Sequence, residues 1–267
     1  MDLAASMKES VGSRQKFASE ILYHFVGRGR PENDKENFAT LAAILGSMEV
    51  LSCKVGGERG GIRLRMDPNR PLTDGEPAEQ SVVCMCDIPR SSLPFHARRY
   101  GRFGVGLSRS VVAQWGARPV IYIPYSERVI GNRGKRFSKD VKTVLDGLDL
   151  FFPDRPESRV RTAGALAVDA QDAVDEASGL IARDFQAFLK FWDVDLPDDH
   201  PENFYLEREW RKFGNLGLAP CLREIVAPAE YHGDLMKILD RHQSTGRYRI
   251  IGPVTCISVQ ADTKELI

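Results

Sequence analysis

An α+β fold is predicted for this chain, and three observations predict it. Short apolar strands stand both before and after a central block of helical periodicity, regular strand–helix alternation is missing, and no internal repeat is found along the 267 residues. A chain of this length can bury a substantial core unaided, so a single domain over 1–267 is expected, with 1–19 as a loose arm and 126–200 as a largely helical insertion.

The first strand is "ILYHFVGR", residues 21–28. It leads into a helix in which Phe38, Leu41, Ala42, Leu45 and Met48 recur at three- and four-residue spacing. Residues 55–80 are rich in glycine, proline and charge, which predicts a surface loop or hairpin. The run "SVVCMCDIP" reads as a strand ended by Pro89, "RSSLPFHARRYG" as a turn and short helix, and "FGVGLSRSVVAQWG" as a strand entering a helix that Gly116 closes. "RPVIYIPY" reads as one short strand bounded by Pro119 and Pro124. Leu180, Ile181, Phe185, Phe188 and Leu189 form one stripe, so "ASGLIARDFQAFLKFW" is predicted helical. Beyond it come "FYLEREWRKF" as an extended segment, "CLREIVAP" as a strand, "GDLMKILDRH" as a helix and a last strand within "RYRIIGPVTCISV".

Lysine plus arginine and aspartate plus glutamate both number 37, so net charge gives no global case for a nucleic-acid or membrane partner. Five dispersed cysteines in a chain too large to need stapling argue for reduced thiols and a cytoplasmic location. No stretch has the ~20 apolar residues of a membrane span, and the N-terminus does not resemble a signal peptide. Cys84 and Cys86 lack zinc-site spacing, and no H-x-x-x-H, G-x-S-x-G or G-x-G-x-x-G occurs, so no metal, serine-hydrolase or Rossmann site is expected.

Three stretches could carry chemistry. His24 sits on the first strand, facing the same way as Leu22 and Val26, with Gly27 and Arg28 just after it; the alternative is a satisfied core histidine. Residues 86–109 gather Asp87, Arg90, His96, Arg98, Arg99, Tyr100 and three glycines, a mixture of rings and guanidinium groups that suits a stacked, phosphate-bearing ligand or else forms a solvated basic face. Nucleic acid held by Arg90, Arg98, Arg99, Arg102 and Arg109 is a further reading. In the third stretch, Glu207 and Glu209 stand two residues apart. On a strand they would share a face, either as an exposed ion-paired edge or as carboxylates steadying charge in glycosyl transfer.

In this order, "LYHFVGR", "VVCMCDIPRSSLPFHARRYGRFGVGLSR", "RPVIYI" and "FYLEREWRKFGN" resemble the AbiGi family of bacterial abortive-infection proteins, associated with phage resistance. The matching residues are His24 and Phe25, the run from Cys84 to Pro89, His96, Tyr100, Gly101, Phe103 and Gly104, and Glu207, Glu209, Trp210 and Arg211. The pattern is also distantly similar to the ADP-ribosyltransferase fold, which implies a split mixed or antiparallel sheet flanked by helices. That second resemblance implies NAD as a substrate, bound by His24, Phe25, Arg28, Tyr100 and Phe103, with Glu209 catalytic and Glu207 its acceptor-side partner. It departs from the usual pattern by placing a histidine, not an arginine, on the first strand. The implied function is a phage-defence effector that modifies a macromolecular acceptor, nucleic acid or protein. The alternative is a non-catalytic antitoxin that binds a cognate toxin or a phage protein, since in one two-gene system the family's member is regarded as the antitoxin.

Overall fold

The computed structural model of the protein describes residues 19–55, 62–64, 78–125, 143, 185–198, 200 and 203–259. The expected N-terminal arm up to residue 18 and most of the insertion over 126–200 lie outside them.

A mixed seven-stranded sheet organises the described residues. Its strands are β1 (Ile21–Phe25), β5 (Val82–Cys86), β6 (Gly104–Ser108), β7 (Arg118–Pro119), β10 (Glu209–Phe213), β12 (Leu222–Val226) and β13 (Thr255–Ile257). Their spatial order is β13-β12-β6-β1-β5-β10-β7, so the first strand among the described residues lies at the centre. All neighbours are antiparallel except β12 and β13. Three two-stranded ladders accompany it: β2 (Glu49–Val50) with β11 (Leu216–Gly217), the hairpin β3 (Ile62–Leu64) and β4 (Ala78–Gln80), and the parallel pair β8 (Ile121–Tyr125) and β9 (Leu189–Asp193). The α+β class is therefore observed.

Successive strand residues point to opposite faces, and in β1 this division decides what each face becomes. Leu22 joins Val83, Met85, Val105, Leu107 and Ile225 in the larger core, covered by Leu41 and Leu45 of α1 (Asp34–Ser47), by Val112 of α3 (Arg109–Gln114) and by Leu235 and Leu239 of α4 (His232–Thr245). Tyr23 faces the other way, toward Cys86, Ile88, Val226 and the helix α2 (Leu93–Tyr100), which contributes Leu93 and Ala97. α1 starts where the Asn33 side chain accepts the Glu36 N–H at 3.2 Å, and ends at Met48 in the left-handed region. The His242 ring lies 2.9 Å from the Leu45 carbonyl and ties α4 to α1.

Three expected elements differ. "RPVIYIPY" is two strands, because Val120 N–H donates to the Glu209 carbonyl at 2.8 Å and the chain then leaves β10 to pair with β9. Pro119 is tolerated because β7 is an edge strand. The stripe predicted as helix ends differently: 186–188 form a short 3-10 turn and Leu189–Asp193 form β9. Leu189, Lys190 and Phe191 are all buried, and a strand covered on both faces shows no alternation to distinguish it from a helix. The two glutamates do not share a strand, since Tyr205–Glu207 is a 3-10 turn and β10 begins at Glu209.

Close backbone approach fixes one glycine. A Cβ on Gly27 would lie 2.3 Å from the Tyr100 carbonyl oxygen, a backbone atom that cannot swing away. Gly27→Ala is expected to cost about 1–3 kcal/mol by overpacking, whereas Gly46→Ala, with open space around it, is expected to be neutral or stabilising. Urea titration of both variants checks this contrast.

Candidate functional site

The Glu207–Glu209 corner forms where a positive-φ residue turns the chain. Arg208 has φ +45°, a costly backbone for a side chain with a Cβ. It is held by a reciprocal contact with Asp87: Asp87 N–H donates to the Arg208 carbonyl at 3.2 Å, and Arg208 Nη2 donates to Asp87 Oδ2 at 3.1 Å. Asp87 also accepts the Ser19 N–H at 2.9 Å and lies 3.8 Å from Arg109, so this buried carboxylate fixes the start of β1 beside the turn.

Glu209 points to the α2 side of the sheet, in register with Cys86 and hence with Tyr23. Both its oxygens are engaged: Oε1 accepts from Arg211 Nε at 2.7 Å and Oε2 from Lys190 Nζ at 2.6 Å. Arg211 is fully buried and also donates to the Ala187 carbonyl at 2.6 Å. Burial alone would push the Glu209 carboxyl up, but Arg211 and Lys190 outweigh it and hold the group down at about 2. Glu209 is thereby the centre of a buried ion triad that joins β10 to β9.

Glu207 behaves oppositely. Its Oε1 accepts from the Tyr100 hydroxyl and lies 3.2 Å from Arg99 Nη1, while among the described residues Oε2 has no hydrogen-bond partner. Burial pushes this carboxyl above its ordinary range against the pull of Lys190, Tyr100 and Arg99, and the negative charge of Glu209 adds to the rise. Two neighbouring carboxyls are thus driven in opposite directions, one held low by paired cations and one raised by burial. Around them, Arg99 and Lys190 both lie over the Phe204 ring, 4.3 and 4.2 Å from its centroid, and Trp192 stacks on Tyr205 at 4.4 Å.

The other expected ligand residues divide between the two faces. Phe25 stacks on Tyr100 with centroids 6.3 Å apart, and the exposed Arg28 is close enough for its charge to act on the Tyr100 hydroxyl. His24 alternates to the opposite face, in register with core Val105, and its Nδ1 lies 2.8 Å from the Cys84 carbonyl. Phe103 is fully buried in the larger core against Phe38 and Tyr231. Phe25, Tyr100, Glu207 and Glu209 therefore gather on one side of the sheet, and His24 and Phe103 do not join them.

Sequence reasoning missed Lys190, hidden in a segment read as helix, and Glu224. The buried Glu224 carboxylate accepts the Tyr23 hydroxyl at 2.7 Å and is bridged by Arg90. Gly106 makes room for it, since a Cβ there would come 2.8 Å from Glu224 Cβ and 3.1 Å from the Tyr23 ring. Among the described residues no cluster of three or more His, Cys, Asp or Glu could hold a metal, and no helix is long and apolar enough to cross a membrane.

Residues 76–231 match a family model described as "Putative abortive phage resistance protein AbiGi, antitoxin". The matched span runs from before β5 through α2, the triad and β12 to the turn ahead of α4. No curated protein and no solved structure matches the chain.

The two glutamates should separate in their effect on stability. A carboxyl held near 2 in the fold stabilises it fully above the ordinary value of 4.5, and that contribution is lost as pH falls from 4.5 through about 2. Glu209→Gln is expected to cost about 3–5 kcal/mol at pH 7 by leaving buried cations unpaired. Glu207, raised in the fold, has the reverse linkage: its cost grows as pH rises above 4.5 toward its folded value, so Glu207→Gln should leave neutral-pH stability unchanged or higher. Denaturant titrations of both variants at pH 4 and pH 7 measure these signs.

Proposed function

The chain belongs to the AbiGi family, and from that membership we propose that it is the antitoxin of an abortive-infection pair, acting by direct binding to a cognate toxin. The observation that carries this reading is the family description over more than half of the chain. The geometry of the glutamate corner supports it. Glu209, expected to be catalytic, has both oxygens committed to buried cations, and such a group serves better as a strut than as a base or nucleophile.

A surface fit for a protein partner lies beside the same corner. Tyr205 and Leu206 are 46% and 39% exposed on the turn leading to Glu207, Tyr205 is stacked on Trp192, and Tyr122 meets its edge at 5.3 Å. Rigid aromatic anchors of this kind carry much of the energy of protein interfaces. The rest of the turn is fixed by Asn203, which donates to the Leu196 and Pro197 carbonyls and accepts the Tyr205 N–H at 3.2 Å.

The test is co-expression with the product of the adjacent gene, followed by copurification and growth assays. The chain alone is expected to be harmless, to relieve toxin-induced arrest and to form a stable complex. Leu206→Asp, which leaves the Tyr205–Trp192 stack in place, should weaken the complex at least tenfold with the melting temperature unchanged. The same purified protein incubated with NAD tests the transferase reading: nicotinamide release lost in Glu207→Gln, together with growth arrest on solo expression, would overturn the antitoxin assignment.

A further inference from the structure

The antitoxin reading leaves unused a set of polar groups beneath α2. His96 is only 5% exposed, yet among the described residues neither ring nitrogen has a hydrogen-bond partner. Its recorded contacts are aromatic: edge-on to Phe95 at 5.8 Å and stacked on Tyr100 at 6.4 Å with the planes 12° apart. Glu207, 8% exposed, receives the hydroxyl of that same Tyr100 on one oxygen and leaves the other without a partner. Neither the His96 nitrogens nor this oxygen is among the side-chain atoms sealed from solvent without a partner. Both side chains are buried in their bulk, yet these polar atoms stay open to solvent, so two groups that meet Tyr100 present hydrogen-bonding atoms where a partner can arrive from outside.

Charge and shape narrow what could supply those partners. Burial, reinforced by the charge of Arg99, pushes the His96 imidazole down to about 4, so it is neutral at physiological pH and offers one donor and one acceptor. Beside it, Glu207 offers a carboxyl oxygen that no described residue uses. The donor and acceptor of the imidazole, next to an open carboxyl oxygen, suit the edge of a heteroaromatic ring that carries N–H groups and ring nitrogens. Phe25 and Tyr100 supply flat apolar faces beside it, and the exposed Arg28, whose charge reaches Tyr100, supplies a cation for an anionic group attached to that ring.

We propose that the seam between α2 and β1 is a binding site for a nucleoside monophosphate, with His96 and Glu207 reading the base edge, Tyr100 and Phe25 packing against the ring and Arg28 taking the phosphate. The proposal does not depend on the antitoxin reading, because it concerns the isolated chain and needs no partner protein.

Calorimetric titration of the full chain with AMP, GMP, CMP and UMP, with adenosine, guanosine and inorganic phosphate as controls, tests it. At least one nucleoside monophosphate is expected to bind at least tenfold more tightly than inorganic phosphate. His96→Phe, which keeps the ring and removes the nitrogens, should weaken binding at least tenfold and leave the melting temperature of the free protein unchanged or higher. Arg28→Ala should reduce the preference for the nucleotide over its nucleoside. No heat from any nucleotide at millimolar concentration, equal binding by His96→Phe, or a lower melting temperature for that variant would each overturn the proposal, the last by showing that the imidazole is already paired. Binding of a 5′-phosphorylated oligonucleotide without binding of any mononucleotide would replace it with a nucleic-acid surface.

Discussion

Lys190, Glu209 and Arg211 form the contact on which the architecture of the matched region turns. Glu209 is the first residue of β10 and Lys190 lies within β9, so the ion pair between them joins the main sheet to the separate β8–β9 ladder. The carbonyl of Glu209 accepts Val120 N–H and its N–H donates to the Tyr122 hydroxyl, so the same residue also holds the crossing from β7 to β8. Replacing such a triad by apolar side chains is often neutral or stabilising, which makes stability a poor explanation for its presence. Directional hydrogen bonds do explain it: an apolar contact would let β9 slide along β10, whereas two charge-assisted bonds from one carboxylate define a single position.

That fixed position gives Glu207 its different character. The left-handed turn at Arg208 sends the chain out of strand geometry between the two glutamates, so one carboxylate enters the triad and the other meets α2. Asp87 makes the turn affordable and simultaneously receives Ser19 and Arg109, which places the start of the central strand and the end of β5 under the same constraint. The aromatic line from Tyr23 through Phe25 to Tyr100 and His96 then follows from β1 alternation and from the four-residue spacing within α2.

Much of this was legible before any coordinates. The strands around Leu22, Val83, Val105 and Ile225 and the helices carrying Leu41 and Leu235 announce themselves by periodicity, and the short helix through His96 is bounded by Pro94 near its start and Gly101 at its end. The failures share one cause, which is that periodicity reports burial and not backbone. β9 is buried on both sides and so imitates a helix, while in "RPVIYIPY" the residues after Arg118 carry neither a charge nor a glycine and hide the break at Val120. For the site, residue types were readable but partners were not. Nothing near Glu209 in sequence names Lys190, and neighbouring positions His24 and Phe25 look like one motif although a strand must send them to opposite faces.

The central place of β1 also governs how the chain can assemble during synthesis. Its partner Cys86 lies 63 residues further along, and β6 later still, so no sheet neighbour exists when β1 leaves the ribosome. At ~5–20 residues per second the wait is roughly 3–13 s, during which Leu22, Tyr23 and Phe25 have no sheet partner on either side. A strand in that condition pairs with whatever edge it meets. A pause in translation before residue 82 lengthens the interval in which this segment has no sheet partner, while a pause after residue 108 does not.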